Sequence, residues 1–393
     1  IIVDEVPGFL DFEQKTTHLD QAFFDRYYVL EPFEEGWSKV TLTEEGAMLT
    51  PASVRDDDSH SHLAVFHRRV LDASRAGSER TVLCNLSEWA GMSAAKVQWC
   101  WASVFSLWEL KAFAKVTLLG NRFRADIGSM ISASFDDEPI EWIALPSLKG
   151  EREFHSRKVH INYFSEDRQA SRSLFASTSG SEMLTQIGSH LAQQLKEVKF
   201  IWTANDTTDQ YLEQMVNSPK QALESGGLKK EAYLSPRQAG TNTYQNISYA
   251  VALYAAKPAP NLISLLKARG VPVEAWARSM EHETILQFVT RTSVRNAGNS
   301  SPVHLWVFDR VQALYLKEYF DGLDYVTATM TLVEDGPEIP ARARSGPKAA
   351  VRTPEEQAEY LAMKKAKDKE RKRRSRAEMK ARIEAAKALK NAA

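Results

Sequence analysis

Only two cysteines, Cys84 and Cys100, occur in 393 residues. That excludes a disulfide-held framework and any Cys-based metal spacing, and it points to a reducing cytoplasm. No apolar run is long enough to cross a bilayer, so no membrane role is expected. No Gly-x-Ser-x-Gly elbow supports Ser-His-Asp hydrolase chemistry. The phosphate-cradling loop G-x-x-x-x-G-K-[ST] occurs nowhere. A strong overall charge is lacking too, since the formal net charge is −1. That balance hides an asymmetry: from about residue 341 basic residues clearly outnumber acidic ones, so the remainder is acidic. A basic end on a near-neutral body suits an anionic partner, with nucleic acid the first candidate.

What is present is ordinary for a globular chain: 43% hydrophobic and 26% charged residues. The length suits two domains and an appendage. Apolar spacing reads as helical, with polar breaks, from residue 14 to 114. The aromatics Trp99, Trp101, Phe105, Trp108 and Phe113 read as core, with a base-stacking platform as the sharper alternative. Residues 115–121 read as a buried strand and 140–145 as an edge strand. After a polar linker at 150–156 comes an α/β alternation. Strands are expected at 159–164, 198–203, 232–235 and 303–308, and helices at 182–197, 207–217, 261–269, 274–292 and 312–320. Such alternation implies a parallel sheet covered on both faces. Beyond Thr353, a good helix cap, the chain is Lys, Arg, Ala and Glu with few large apolar side chains. It is a solvated helix or a disordered tail.

Four patterns carry chemistry. Ile1-Ile2-Val3-Asp4-Glu5 is a β-branched run delivering two carboxylates to a strand end. Gly240-Thr241-Asn242 is a polar loop where backbone N–H groups can meet phosphate. Gln287, Arg291 and Arg295 are spaced i, i+4, i+8, so one long helix would align them on one face. Two guanidiniums on one stripe repel unless an anion lies between them, or unless acids such as Glu281 or Glu283 pair with them. His60 and His62, flanked by aspartates, read as a solvated loop rather than a metal site.

In order, these segments resemble the two RecA-like domains of superfamily-two helicases, of the broad DEAD/DEAH-box kind. Ile2-Val3-Asp4-Glu5 matches the Asp-Glu box. Residues 116–121 lie where the family has its Ser-Ala-Thr-type coupling motif, and 200–205 fit the first strand motif of the second domain. Gly240 to Asn242 resembles the loop touching nucleic acid and nucleotide, and Gln287 to Arg295 resembles the arginine-finger motif. The resemblance implies an α/β fold of two RecA-like parallel-sheet domains, the first incomplete and carrying a helical insertion, plus the basic tail. The expected divisions are 1–149, 150–335 and 336–393. It implies ATP with Mg²⁺ as cofactors and single-stranded DNA or RNA as partner. Asp4 would hold the metal, Glu5 would activate water, Arg291 and Arg295 would reach the nucleotide with Gln287 in support, and Gly240 and Asn242 would couple the two ligands.

Three features depart from the family. Val6-Pro7 replaces the usual residues after Asp-Glu, the gap to the next strand motif is far longer, and three residues rather than two separate the arginines. The alternative is a non-catalytic nucleic-acid-binding or replication-assembly protein on a degenerate RecA-like frame. A packaging motor of the terminase type also uses an Asp-Glu strand, but no acidic nuclease cluster accompanies it here.

Overall fold

A computed structural model of the protein describes residues 2–4, 9–17, 19–34, 36–86, 97–119, 123–136, 140–144, 153–206, 218–236 and 242–339. By contacts the chain divides into two units, 1–341 and 342–393. All the described residues belong to the first. Glu5, Gly240, the expected helix at 207–217 and the basic tail lie outside them.

The Asp-Glu run does form a strand, β1 (Ile2–Asp4). A long excursion follows it: β2 (Leu10–Thr17), α1 (Gln21–Tyr27), β3 (Tyr28–Glu34), β4 (Trp37–Leu42), α2 (Glu44–Met48), α3 (Pro51–Arg55), α4 (Ala64–Ala73), β5 (Arg80–Cys84) and β6 (Val97–Phe105). Its frame is an antiparallel sheet of order β2-β6-β5-β4-β3, which corrects the helical reading of 14–114. The reason lies in β6. Trp99 and Trp101 enter one core with Phe24, Tyr28 and Phe66. Cys100, Ala102 and Val104 enter another with Trp37, Leu83 and Ile131. A strand buried on both faces loses the alternation that would have announced it.

The chain then returns to β7 (Thr117–Leu119), which pairs in parallel with β1, Ile2 opposite Thr117 and Asp4 opposite Leu119. Next comes α5 (Ile127–Ala133), capped by the Asp126 carboxylate, which accepts from the Gly128 N–H at 2.8 Å. Residues 140–144, expected as an edge strand, carry no strand.

The second half runs β8 (Arg157–Ser165), α6 (Arg172–Phe175), α7 (Thr178–Gln194), β9 (Ile201–Ala204), α8 (Pro219–Ser225), β10 (Tyr249–Leu253), α9 (Pro260–Ala268), α10 (Val273–Ala277), α11 (Glu283–Val289), β11 (Val303–Asp309), α12 (Arg310–Asp321) and β12 (Val326–Leu332). All five strands are parallel, in the order β12-β8-β11-β10-β9. This is the expected α/β fold with a parallel sheet. Strands β10 and β12 have no counterpart in the sequence reading, and residues 232–235 give only an isolated bridge from Tyr233 to Trp202. Val159, Ile161, Leu305 and Val307 face α11 and α12. Phe164, Trp306 and Phe308 face α7 and α8.

The antiparallel sheet is welded to this second half. Leu262, Leu265 and Leu266 of α9 share a core with Trp37, Leu83 and Ile131. Trp37 Nε1 donates to Ser264 Oγ at 3.2 Å, and the Ile127 N–H donates to Ser279 Oγ at 2.8 Å. Arg269 pairs with Glu34 at 3.0 Å, and its guanidinium lies 4.4 Å from the Phe135 ring. No helix among the described residues is long and apolar enough to cross a membrane.

Candidate functional site

The expected helix over 274–292 is three pieces. α10 gives way to a π-helical turn, Arg278–His282, and α11 stops at Val289. It stops because hydroxyls take its last carbonyls. Thr290 Oγ1 donates to Gln287 O at 3.3 Å, and Thr292 Oγ1 donates to Val289 O at 2.7 Å. Such side-chain bonds compete with the helical ladder. A 3₁₀ turn, Ser293–Arg295, follows. Gln287, Arg291 and Arg295 are therefore not one stripe. Gln287 is exposed on α11, Arg291 lies beyond the helix and is 8% exposed, and Arg295 is exposed on the 3₁₀ turn. Glu281 bonds Lys257, and Glu283 accepts from the Tyr315 hydroxyl.

Helix α11 runs down the sheet, so residues after it reach the edge where the strands begin. There they meet the segment that follows Asn242. Ser293 N–H donates to Ile247 O at 2.8 Å, the Ser248 and Ser293 hydroxyls lie 2.9 Å apart, and Asn296 Nδ2 donates to Asn246 Oδ1 at 3.2 Å. Asn242 itself is exposed at the start of that turn. Two motifs about fifty residues apart in the chain thus share one edge of one sheet, as the order of parallel strands requires.

Sequence reasoning missed Arg157, the first residue of β8. It is 2% exposed. Its guanidinium donates to the carbonyls of Ser293, Asn296 and Asn299. Burial draws its pKa below the usual arginine range. One signal was available: a basic residue opening a strand whose other inward positions are apolar.

The opposite edge is a buried polar network. The Glu281 carboxylate, fully buried, accepts from Lys257 Nζ at 3.0 Å, Gln312 Nε2 at 2.9 Å and the Ala256 N–H at 2.7 Å. Asp309 accepts from the Ala170 N–H at 2.7 Å and the Gln312 N–H at 3.0 Å. Burial raises the pKa of both carboxyls, against the pull of Lys257 and the backbone donors. Burial also lowers His282, to about 4. β8 leads to α7 on one face and β11 to α12 on the other, so the crevice between these strand ends is where open α/β sheets take ligands. The Asp309 carboxyl is buried at that edge and already accepts from the Ala170 and Gln312 N–H groups.

Asp4 sits at the end of β1, opposite Leu119, with a parallel neighbour. No group of three or more His, Cys, Asp or Glu side chains able to hold a metal occurs among the described residues. His60 stacks on Phe23 at 4.0 Å and bonds Asp57 at 2.9 Å, a local packing role.

No family model matches the chain, and no curated protein matches it. Among solved structures it is similar to one titled XPD helicase, with a TM-score of 0.36 and 11% identity, over 78% of this chain and 58% of that one. The chain thus spans a little over half the length of that neighbour. A likeness at that level carries no argument about function, which rests on the residues.

Proposed function

We propose that this chain serves an ATP-dependent helicase or translocase acting on DNA or RNA, in single-stranded form. The observation that carries the reading is the single sheet edge at which the Asn242–Ser248 segment and the Arg291–Arg295 segment are hydrogen-bonded to each other. A loop suited to nucleic acid and a pair of arginines suited to phosphate must act together if hydrolysis is to drive movement. The β1/β7 pair supports the reading from the other domain, because it puts Asp4 at the end of a parallel strand beside the strand of the coupling motif. Asp4 would hold Mg²⁺ through water and Glu5 would activate the attacking water. Bound ATP with its metal supplies the phosphoryl group. Arg295, the exposed one of the two arginines, would offset charge developing on it with Arg291 beside it, and Gly240 and Asn242 would carry the change to the strand.

The test uses this chain joined to its phosphate-cradling loop. Arg291→Ala or Arg295→Ala should slow single-strand-stimulated hydrolysis by roughly 10³-fold, as loss of an arginine finger does, while leaving ATP binding within a few-fold. Unchanged turnover in both variants would overturn the reading.

A further inference from the structure

We propose that Arg157 is a positioning residue: it shapes the 293–299 turn and thereby fixes where Arg291 and Arg295 point. The proposal rests on the reading that those arginines serve a phosphate, but its geometry does not.

In the turn after α11 the Ser293 and Asn296 carbonyls each accept one backbone N–H, from Asn296 and Asn299, and each has a second lone pair to offer. The turn directs three carbonyls, from Ser293, Asn296 and Asn299, at one guanidinium. Arginine suits this task because its planar fork offers five N–H donors in fixed directions. A lysine ammonium has three donors and no fork, so it cannot reach the same carbonyls at once. The backbone of Arg157 is itself anchored, its N–H donating to Tyr325 O at 2.9 Å. The fork is therefore held by the sheet, and the turn is held by the fork. On the other side Ser293 and Asn296 are tied to Ile247 and Asn246.

The charge matters as well as the shape. Among the described residues no Asp or Glu forms an ion pair with Arg157, although the side chain is buried. Its positive charge adds to those of Arg291 and Arg295, which stand two positions either side of Ser293, so this sheet edge attracts an anion.

The experiment has two arms. In the 393-residue chain, amide hydrogen exchange is followed in Arg157→Lys. Protection of the Arg295, Asn296 and Asn299 amides should fall by about tenfold or more, the effect of losing one charge-assisted hydrogen bond, with the α11 interior and β8 unchanged. Unchanged protection in the turn overturns the proposal. If Arg157→Lys does not fold, Arg157→Ala is refolded with and without guanidinium chloride below denaturing concentration. Protection regained with guanidinium supports the proposal, and none regained overturns it. In the protein that includes the phosphate loop, Arg157→Lys should lower kcat by about tenfold and leave KM for ATP within about twofold, since an interaction felt in the transition state shows in kcat. Lost protection with unchanged kcat would uphold the positioning of the turn and sink the hydrolytic role of its arginines, so the two failures are distinct.

Discussion

At the scale of single residues, the buried network around Glu281 makes the sharpest predictions. Glu281 is fully buried while Lys257 is a quarter exposed, so Lys257→Met, which leaves the carboxylate dry and short of a cation, should destabilise the fold by ~3–5 kcal/mol and Glu281→Ala by less. Chemical denaturation of the two variants Glu281→Ala and Lys257→Met, singly and together, checks this. The double variant should recover part of the loss. His282 gives a pH dependence. Its folded pKa is pushed down to about 4 by burial, with Lys257 and Arg278 adding to the effect. The unfolded chain binds that proton near its ordinary value of 6.5. Stability is then fully present above pH 6.5 and is lost as pH falls towards 4, at about 1.4 kcal/mol per pH unit for one proton. Replacing His282 with Gln should flatten this part of the stability curve. An unchanged slope in urea titrations between pH 7 and pH 4.5 would mean another group is responsible.

At the scale of elements, the crossing of α7 and α8 is set by two glycines. A Cβ on Gly188 would stand 2.7 Å from Leu223 O and 3.1 Å from Gly226 Cα, and one on Gly226 would meet Thr185 O. Gly188→Ala should cost about 1–3 kcal/mol through overpacking, read as a lower urea midpoint with an unchanged m-value. The element scale is also where sequence reading succeeded and failed most clearly. β8 and β11 were legible because β-branched and aromatic residues run between polar turns. β10 was not, because Tyr249–Leu253 is rich in alanine, a poor strand former that serves only because helices close over it. α12 was legible from its periodicity. The single helix expected over 274–292 failed at two places, the π turn and the threonine cap. Both depend on contacts that spacing does not encode: Glu281 to Ala256 and Lys257, and hydroxyls to carbonyls.

At the scale of the whole molecule, the antiparallel sheet and the second parallel sheet should unfold together, since α9 shares a core with Trp37 and Leu83. Trp37→Ala should cost about 3–5 kcal/mol and lower the stability of both sheets in one transition. Two resolved transitions in the wild-type chain would contradict this. The basic tail should bind single-stranded nucleic acid weakly, without sequence preference. Its affinity should fall by orders of magnitude between about 50 and 200 mM salt if about six phosphates are neutralised. Truncation after Pro340 should abolish that salt-dependent part, and equal binding by truncated and intact chains would leave the tail no role. The 393-residue chain alone should hydrolyse ATP negligibly, because its sequence holds no phosphate-cradling loop. Mg²⁺-dependent turnover by this chain, lost on Glu5→Gln, would place the nucleotide elsewhere.

The sequence by itself determined the α/β alternation, the strand ending in Asp4, the parallel direction of the apolar strands and the basic character of the end. Each is a local property: β-branched runs, turn residues and charge density are written in neighbouring positions. Tertiary structure alone decided that the insertion is an antiparallel sheet, since burial on both faces erases alternation. It alone decided that Arg291 is buried while Arg295 is exposed, since α11 ends at Val289, before both of them, and a 3₁₀ turn carries Arg295. It alone brought Arg157 to the carbonyls of Ser293, Asn296 and Asn299, a contact across more than a hundred residues that exists only because β8 and β11 lie side by side.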